Sequence, residues 1–292
     1  FAATVKHPSV PDADLRRYYR CRYTGLSRKR GIDMEPSWNR CLASISERGV
    51  GRLKIVASGP MNLLGTPLIN DLRAALASLQ SAGELRTLVL CGDGDRAFVG
   101  GADIKEMAGL NQSSAESFIS NLHDLCEQLR QFPVPVIARI PGWCLGGGLE
   151  LAMACDIRIA AEEASFAMPE VRVGIPSVIH AALMPRLLGS SRASWLILTG
   201  ETITASTALS WGLVNQVVPL AQLDAEIDNV VEGFLACGAQ ALRTQKTLLR
   251  SWEELPLQQA LRLSIAAFGE AYTTGEPQQF MQAFLDRPRT KH

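Results

Sequence analysis

The chain has 292 residues, 47% hydrophobic and 20% charged, with 29 Lys+Arg balanced by 29 Asp+Glu. That balance supplies no global field for nucleic acid or a membrane surface, and no run approaches the ~18 apolar residues of a membrane span. Seven scattered cysteines with no C-x-x-C, and four dispersed histidines, give neither a zinc site nor a disulfide framework. Each cysteine is expected to be a small buried hydrophobe. The expected compartment is a reducing one: the cytoplasm, with the mitochondrial matrix as the alternative.

In chain order, the first 33 residues carry eight Lys/Arg against three Asp/Glu. Residues 1–45 therefore read as a basic N-terminal extension. It is either a leader before a natural start at Met34 or a solvated flexible segment. "GRLKIVA" (51–57) alternates as a strand. Thr66-Pro67 then offers an N-cap and a proline at the first helical position. Leu68, Leu72, Ala75, Leu76 and Leu79 follow at helical spacing, and Gly83 ends the run. "RTLVLCG" (86–92) predicts a buried strand, 114–131 a helix capped by Ser114, and "VIARI" (136–140) another strand. A glycine loop, a helix from about 149 and the strand "IRIAA" (157–161) come next. Beyond 190, helical patterns dominate at 204–211, 221–236, 239–252, 256–272 and 276–285. The alternation argues α/β, with parallel strands covered by helices. The expected division is a core over 46–200 and a helical C-terminal subdomain over 201–292.

Chemistry concentrates in "GWCLGGGLELAMACD" (142–156). The triplet Gly146, Gly147 and Gly148 is neither G-x-G-x-x-G nor a phosphate-cradling loop with Lys-Ser/Thr. It leads into a helix start, where free N–H groups and the macrodipole favour negative charge. Glycine leaves those donors uncovered. The alternative is that glycine only permits close strand–helix packing. A second glycine pair, in "FVGGADIKEM" (98–107), also follows a strand and turn. Two donors from separate segments are what a two-pronged oxyanion hole requires.

"FAMPEVRVGIP" (166–176) adds Glu170, so that Glu150 and Glu170 flank the 157–161 strand in apolar sequence. One such glutamate would read as a buried partner for Arg158 or Arg172. Two of them, beside two glycine turns, read as an acid/base pair.

The segments "GGADIKEM", "LGGGLELAMACDIRIAA", "FAMPEVRVGIP" and "LTGETITASTALSWGLVNQVV" (198–218) together resemble the enoyl-CoA hydratase/isomerase (crotonase) superfamily, hydratase-like branch. The match runs in order from about residue 50 to the C-terminus. The resemblance implies a spiral core of repeated ββα units with a helical C-terminal subdomain that closes the CoA site and makes trimers or hexamers. It implies an acyl-CoA thioester substrate polarised by the N–H groups of Ala102 and Gly147. Glu150 would activate water toward C3, and Glu170 would deliver a proton to C2 of a 2-enoyl-CoA. It further implies CoA contacts at Met61, Asn62, Leu63, Gly101, Asp103, Ile104, Lys105 and Gly146, with Phe284 near the ligand region. Lys105 would face the CoA phosphates or simply be solvated. No metal or separate cofactor is expected, since CoA belongs to the substrate.

Two features depart from the family pattern. "IPSVIHAALMPRL" (175–187) stands where many hydratases are glycine-rich, which puts Ser177 and His180 near the acyl pocket. His180 reads as a local polar contact or a substrate contact. The first 33 residues match nothing in the family. Competing activities are double-bond isomerisation and another crotonase reaction. RNA binding is disfavoured, because in the 114–131 helix Arg130 stands against Glu116, Asp124 and Glu127.

Overall fold

A computed structural model describes residues 32–33, 38–56, 58–82 and 85–286. Most of the basic extension expected over 1–45, the Met34 segment included, and the Gly83 helix end lie outside those residues. Eleven strands appear among the described residues. They are β1 (Ile32–Asp33), β2 (Cys41–Ile45), β3 (Val50–Ile55), β4 (Thr87–Cys91), β5 (Ala97–Val99) and β6 (Val136–Ile140), then β7 (Trp143–Leu145), β8 (Ile157–Ala161), β9 (Ser165–Ala167), β10 (Ile203–Thr204) and β11 (Gln216–Val218).

The strands form two sheets. The larger has the order β1-β2-β3-β4-β6-β8-β11 and the smaller β10-β9-β7-β5. From β3 to β11 the larger sheet is parallel, and β5, β7 and β9 are parallel in the smaller. Each turn of chain gives one strand to each sheet: β4 then β5, β6 then β7, β8 then β9. Helices intervene, Ile104–Met107 and Gln112–Arg130 after β5, and Gly147–Ala154 after β7. This is the expected spiral of ββα units, with helices dominating beyond 190.

The strand sequences explain the layering. β3 alternates, burying Gly51, Leu53 and Ile55 and leaving Arg52 exposed. β4 is buried at four successive positions because both of its faces are covered. Val89, Ile137 and Ile159 pack under Leu223, Ile227 and Val231 of the Leu223–Leu235 helix. Leu88, Leu90, Val136 and Ala138 belong to the main core on the opposite face. The helix Thr66–Ser81 buries Leu68, Leu72, Ala75, Leu76 and Leu79, as the spacing predicts.

Two helix starts differ from expectation. Gly65, not Thr66, is the N-cap of Thr66–Ser81, and Thr66 donates both its N–H and its hydroxyl to Glu106. Asn111 caps Gln112–Arg130, and Ser114 sits at the third position of that helix. Asn111 Oδ1 accepts the Ser114 N–H while Ser114 Oγ accepts the Asn111 N–H. The preceding asparagine competes with Ser114 for the capping position and wins. β2, β5, β7 and β9 are not among the predicted strands, and β10 and β11 lie where strand signals thin. β5, β7, β9, β10 and β11, at two or three residues each, are too short to show a period, and in β2 the exposed Leu42 breaks the apolar–polar alternation.

Candidate active site

β5, β7 and β9 are parallel neighbours, so their C-terminal ends lie side by side. β5 runs into Gly100-Gly101-Ala102, β7 into Gly146-Gly147, and β9 into Met168-Pro169-Glu170. The three segments singled out from sequence therefore meet at one sheet end, where ligands bind in parallel α/β sheets.

Close backbone approach explains the glycines. Gly101 has φ +106°, and a Cβ there would lie 3.2 Å from the Leu145 carbonyl oxygen. Gly146 has φ +50°, and a Cβ would overlap Glu170 Oε1. A Cβ on Gly148 would overlap the Val99 carbonyl, so this glycine serves packing. Gly147 differs. Its Cβ would meet Leu122 Cδ2 at 3.0 Å and point to within 3.9 Å of the Ala102 nitrogen. The Gly147 and Ala102 amides are thus neighbours.

Both amides are open. Ala102 pairs with Leu64 through a parallel bridge, but that bridge uses the Gly101 carbonyl, 2.9 Å from the Leu64 nitrogen, and the Asp103 N–H, 3.0 Å from the Leu64 oxygen. Gly147 is the first residue of its helix, where an N–H has no intrahelical acceptor. No acceptor among the described residues takes either N–H. Gly147 is buried and Ala102 half-buried, and backbone donors removed from water are rarely left unmatched.

Glu150 sits one turn into the Gly147–Ala154 helix and is 3% exposed. Its Oε1 accepts the Ala181 N–H at 2.9 Å. Burial pushes its carboxyl up to about 8; the Ala181 N–H opposes that rise and the Glu170 charge adds to it. Glu170 opens a short 3-10 turn, Glu170–Val173, with its carboxylate against Gly146. Its Oε2 accepts the Ser177 hydroxyl at 3.0 Å. Burial raises its pKa too, against its own N–H and the Ser177 hydroxyl. Among the described residues, neither glutamate is an arginine's partner. Arg158 donates to the carbonyls of Leu213, Ala152 and Cys155, and Arg172 pairs with Glu201.

The elevated Glu150 carboxyl has a consequence for stability. A carboxyl whose folded pKa is raised binds its proton more tightly in the native state. Its favourable contribution is complete below the ordinary value of 4.5 and is lost as pH rises through about 8. Glu150→Gln should therefore melt above wild type at pH 9, with the gap closing by pH 4.5. A thermal scan at both pH values checks this.

The residues expected to hold CoA line the same edge. The Met61 carbonyl accepts the Gly100 N–H at 2.7 Å. Asn62 is fully buried with φ +51°. It donates to the Ala97 and Phe98 carbonyls at 3.0 and 3.1 Å and accepts the Asp93 N–H at 3.2 Å. Its side chain ties loops together and has nothing left to offer a ligand. Leu63 is half-buried. Asp103 caps its short helix by accepting the Lys105 N–H, while Ile104 and Lys105 are exposed. Phe284 is exposed on the helix Glu276–Leu285.

Sequence reasoning missed the Ala181 N–H, a backbone group with no residue-type signature. It flagged Ser177 and His180 without their partners, Glu170 and Glu127. Cys41, Cys126, Cys144 and Cys155 are buried thiols, and Cys91 and Cys237 are half-buried. No described helix is long and apolar enough to cross a membrane.

The enoyl-CoA hydratase/isomerase family profile matches residues 46–292. A crotonyl-CoA hydratase of Syntrophomonas wolfei is 34% identical over 228 residues, spanning 78% of this chain and 88% of that protein. A short-chain-enoyl-CoA hydratase of Clostridium acetobutylicum is 32% identical, over 78% of this chain and 87% of that one. The crystal structure of an enoyl-CoA hydratase from Bacillus anthracis superposes with a TM-score of 0.82. It is 31% identical and covers 87% of this chain and 99% of its own. With its motifs in order, its spiral of paired strands and these relatives, the chain belongs to the enoyl-CoA hydratase/isomerase family.

Proposed function

We propose that the protein adds water across the 2,3 double bond of a 2-enoyl-CoA thioester. The observation that carries this is the pair of unmatched amides, Ala102 and Gly147, beside two carboxyls, buried Glu150 and half-buried Glu170, that no arginine among the described residues neutralises. The relatives named as hydratases support the same reaction class. Attack at C3 builds enolate-like charge on the thioester oxygen, and donors already aimed at that charge need no reorganisation.

In hydration, ionised Glu150 takes one proton from a water whose oxygen bonds to C3, and protonated Glu170 gives a proton to C2. The atoms balance: one water is added, and the pair's single proton has moved from Glu170 to Glu150. Two interacting carboxyls titrate as a pair. The proton's resting preference for Glu150, with its carboxyl at about 8, matches the end of this step. A proton must then return to Glu170 before the next turnover.

A chain-length panel of 2-enoyl-CoAs, followed by ultraviolet loss of the conjugated thioester, tests the reading. Turnover with a 3-hydroxyacyl product is expected. Consumption of 3-enoyl-CoAs alone, by isomerisation, would replace hydration with isomerase activity.

The same reading includes a trimer or hexamer built on the C-terminal helices. Supporting it, Leu257, Leu261, Ile265 and Phe268 follow one another at spacings of three and four on the Leu257–Ala271 helix, and all are at least 49% exposed. Sedimentation equilibrium should give three or six copies, whereas a stable monomer would contradict the assembly.

A further inference from the structure

Nine residues after Glu170, the backbone is strained. Ile179 has φ +39°, an outlier for a β-branched residue. Such strain persists only where the surroundings over-determine it. The next residue, His180, is 5% exposed. Its Nε2 lies 2.9 Å from Glu127 Oε1. Facing a carboxylate acceptor, Nε2 carries the proton, and Nδ1 is buried with no partner among the described residues. Glu127 is steadied in turn by Arg130, whose Nε is 3.2 Å away, and Arg130 by Glu253 at 2.8 Å. One residue beyond His180 is Ala181, whose N–H is the one donor on Glu150 among the described residues.

The 3-10 turn Ile179–Leu183 packs on both the Gln112–Arg130 and the Gly147–Ala154 helices. The groups facing His180 are Glu127, Arg130 and His123; Glu150 faces the Glu170 charge and the buried Cys126 thiol of the Gln112–Arg130 helix. Burial holds His180 below the ordinary histidine value, so at neutral pH it carries no charge to direct at Glu150. Its influence runs through geometry.

We propose that His180, anchored on Glu127, is a positioning residue: it locks the strained Ile179–Ala181 turn so that the Ala181 N–H stays on the Glu150 carboxylate. The kinetic consequence rests on the hydratase reading, in which Glu150 must ionise to activate water. A hydrogen bond to the charged form favours that form. Without it, Glu150 keeps its proton to higher pH, and the acidic limb of the kcat profile moves up.

The variants are His180→Ala, Glu127→Ala and His180→Gln, whose side-chain amide keeps a donor for Glu127. His180→Ala and Glu127→Ala should each lower kcat by about 10- to 100-fold, the upper figure being that of a 1 Å misplacement. KM should change little, the acidic limb should move to higher pH, and His180→Gln should restore both. In parallel, the Glu150 13Cδ resonance is titrated in glutamate-labelled, substrate-free protein. Its midpoint should rise in the two alanine variants and return toward wild type in His180→Gln. That titration needs no turnover, so an inactive wild type would sink the hydratase reading without deciding this one. An unchanged midpoint in the alanine variants would overturn the proposal. So would a raised KM with kcat and the acidic limb unmoved, which would make His180 a substrate contact. If His180→Ala does not fold, Glu127→Ala and His180→Gln supply the same titration.

Discussion

Glu150→Gln and Glu170→Gln should each lower kcat for hydration by about 10²- to 10⁴-fold, the usual contribution of a positioned acid or base. Glutamine keeps the shape and an acceptor oxygen, so the Ala181 N–H and the Ser177 hydroxyl retain their partner. Affinity for a CoA ester should therefore stay close to wild type. The double variant should cost much less than the product of the single losses, because the two carboxyls act on one water. Steady-state kinetics and ester binding on the three variants check this. Near-wild-type rates in both single variants would remove the acid/base assignment.

Ala102→Pro should lower kcat by about 10²- to 10³-fold, the cost of one oxyanion donor. Proline has no N–H, and the bridge to Leu64 uses the Gly101 carbonyl and the Asp103 N–H instead. The strand pairing at this position therefore does not depend on the hydrogen that is lost. Circular dichroism should show the wild-type fold, and the rate loss should appear across the whole acyl panel. A loss confined to long acyl chains would point to a blocked acyl pocket rather than a missing donor.

Much of this site was legible because glycine and glutamate mark positions where few other residues work. Gly101 and Gly146 are needed for positive φ and close backbone approach, and that need leaves a trace in the sequence. Glu150 stands out because a carboxylate in an apolar helix is costly to bury. "VIARI" and "IRIAA" match β6 and β8 residue for residue, because parallel strands covered on both faces read as near-continuous apolar runs, each interrupted here only by one arginine, Arg139 or Arg158. The three-residue strands β5, β7 and β9 are different. None is long enough to show a period, yet their shared parallel edge brings Ala102, Gly147 and Glu170 together. That convergence is a property of topology, reached from sequence only through motif resemblance.

The polar support was equally hidden. The motif marks Asn62 by its place in a turn, and gives no sign that its side chain ties Asp93, Ala97 and Phe98 together. Glu127 and His180 are 53 residues apart, and nothing in either neighbourhood announces the other.

Incubation with 2-butenoyl-CoA in H₂¹⁸O, with mass spectrometry of the product, tests the central claim most directly. A 3-hydroxybutanoyl-CoA carrying one ¹⁸O at C3 is expected, formed by wild type and strongly diminished by Glu150→Gln and Glu170→Gln. Substrate recovered with no hydroxyacyl product, or double-bond isomers with no added oxygen, would contradict it.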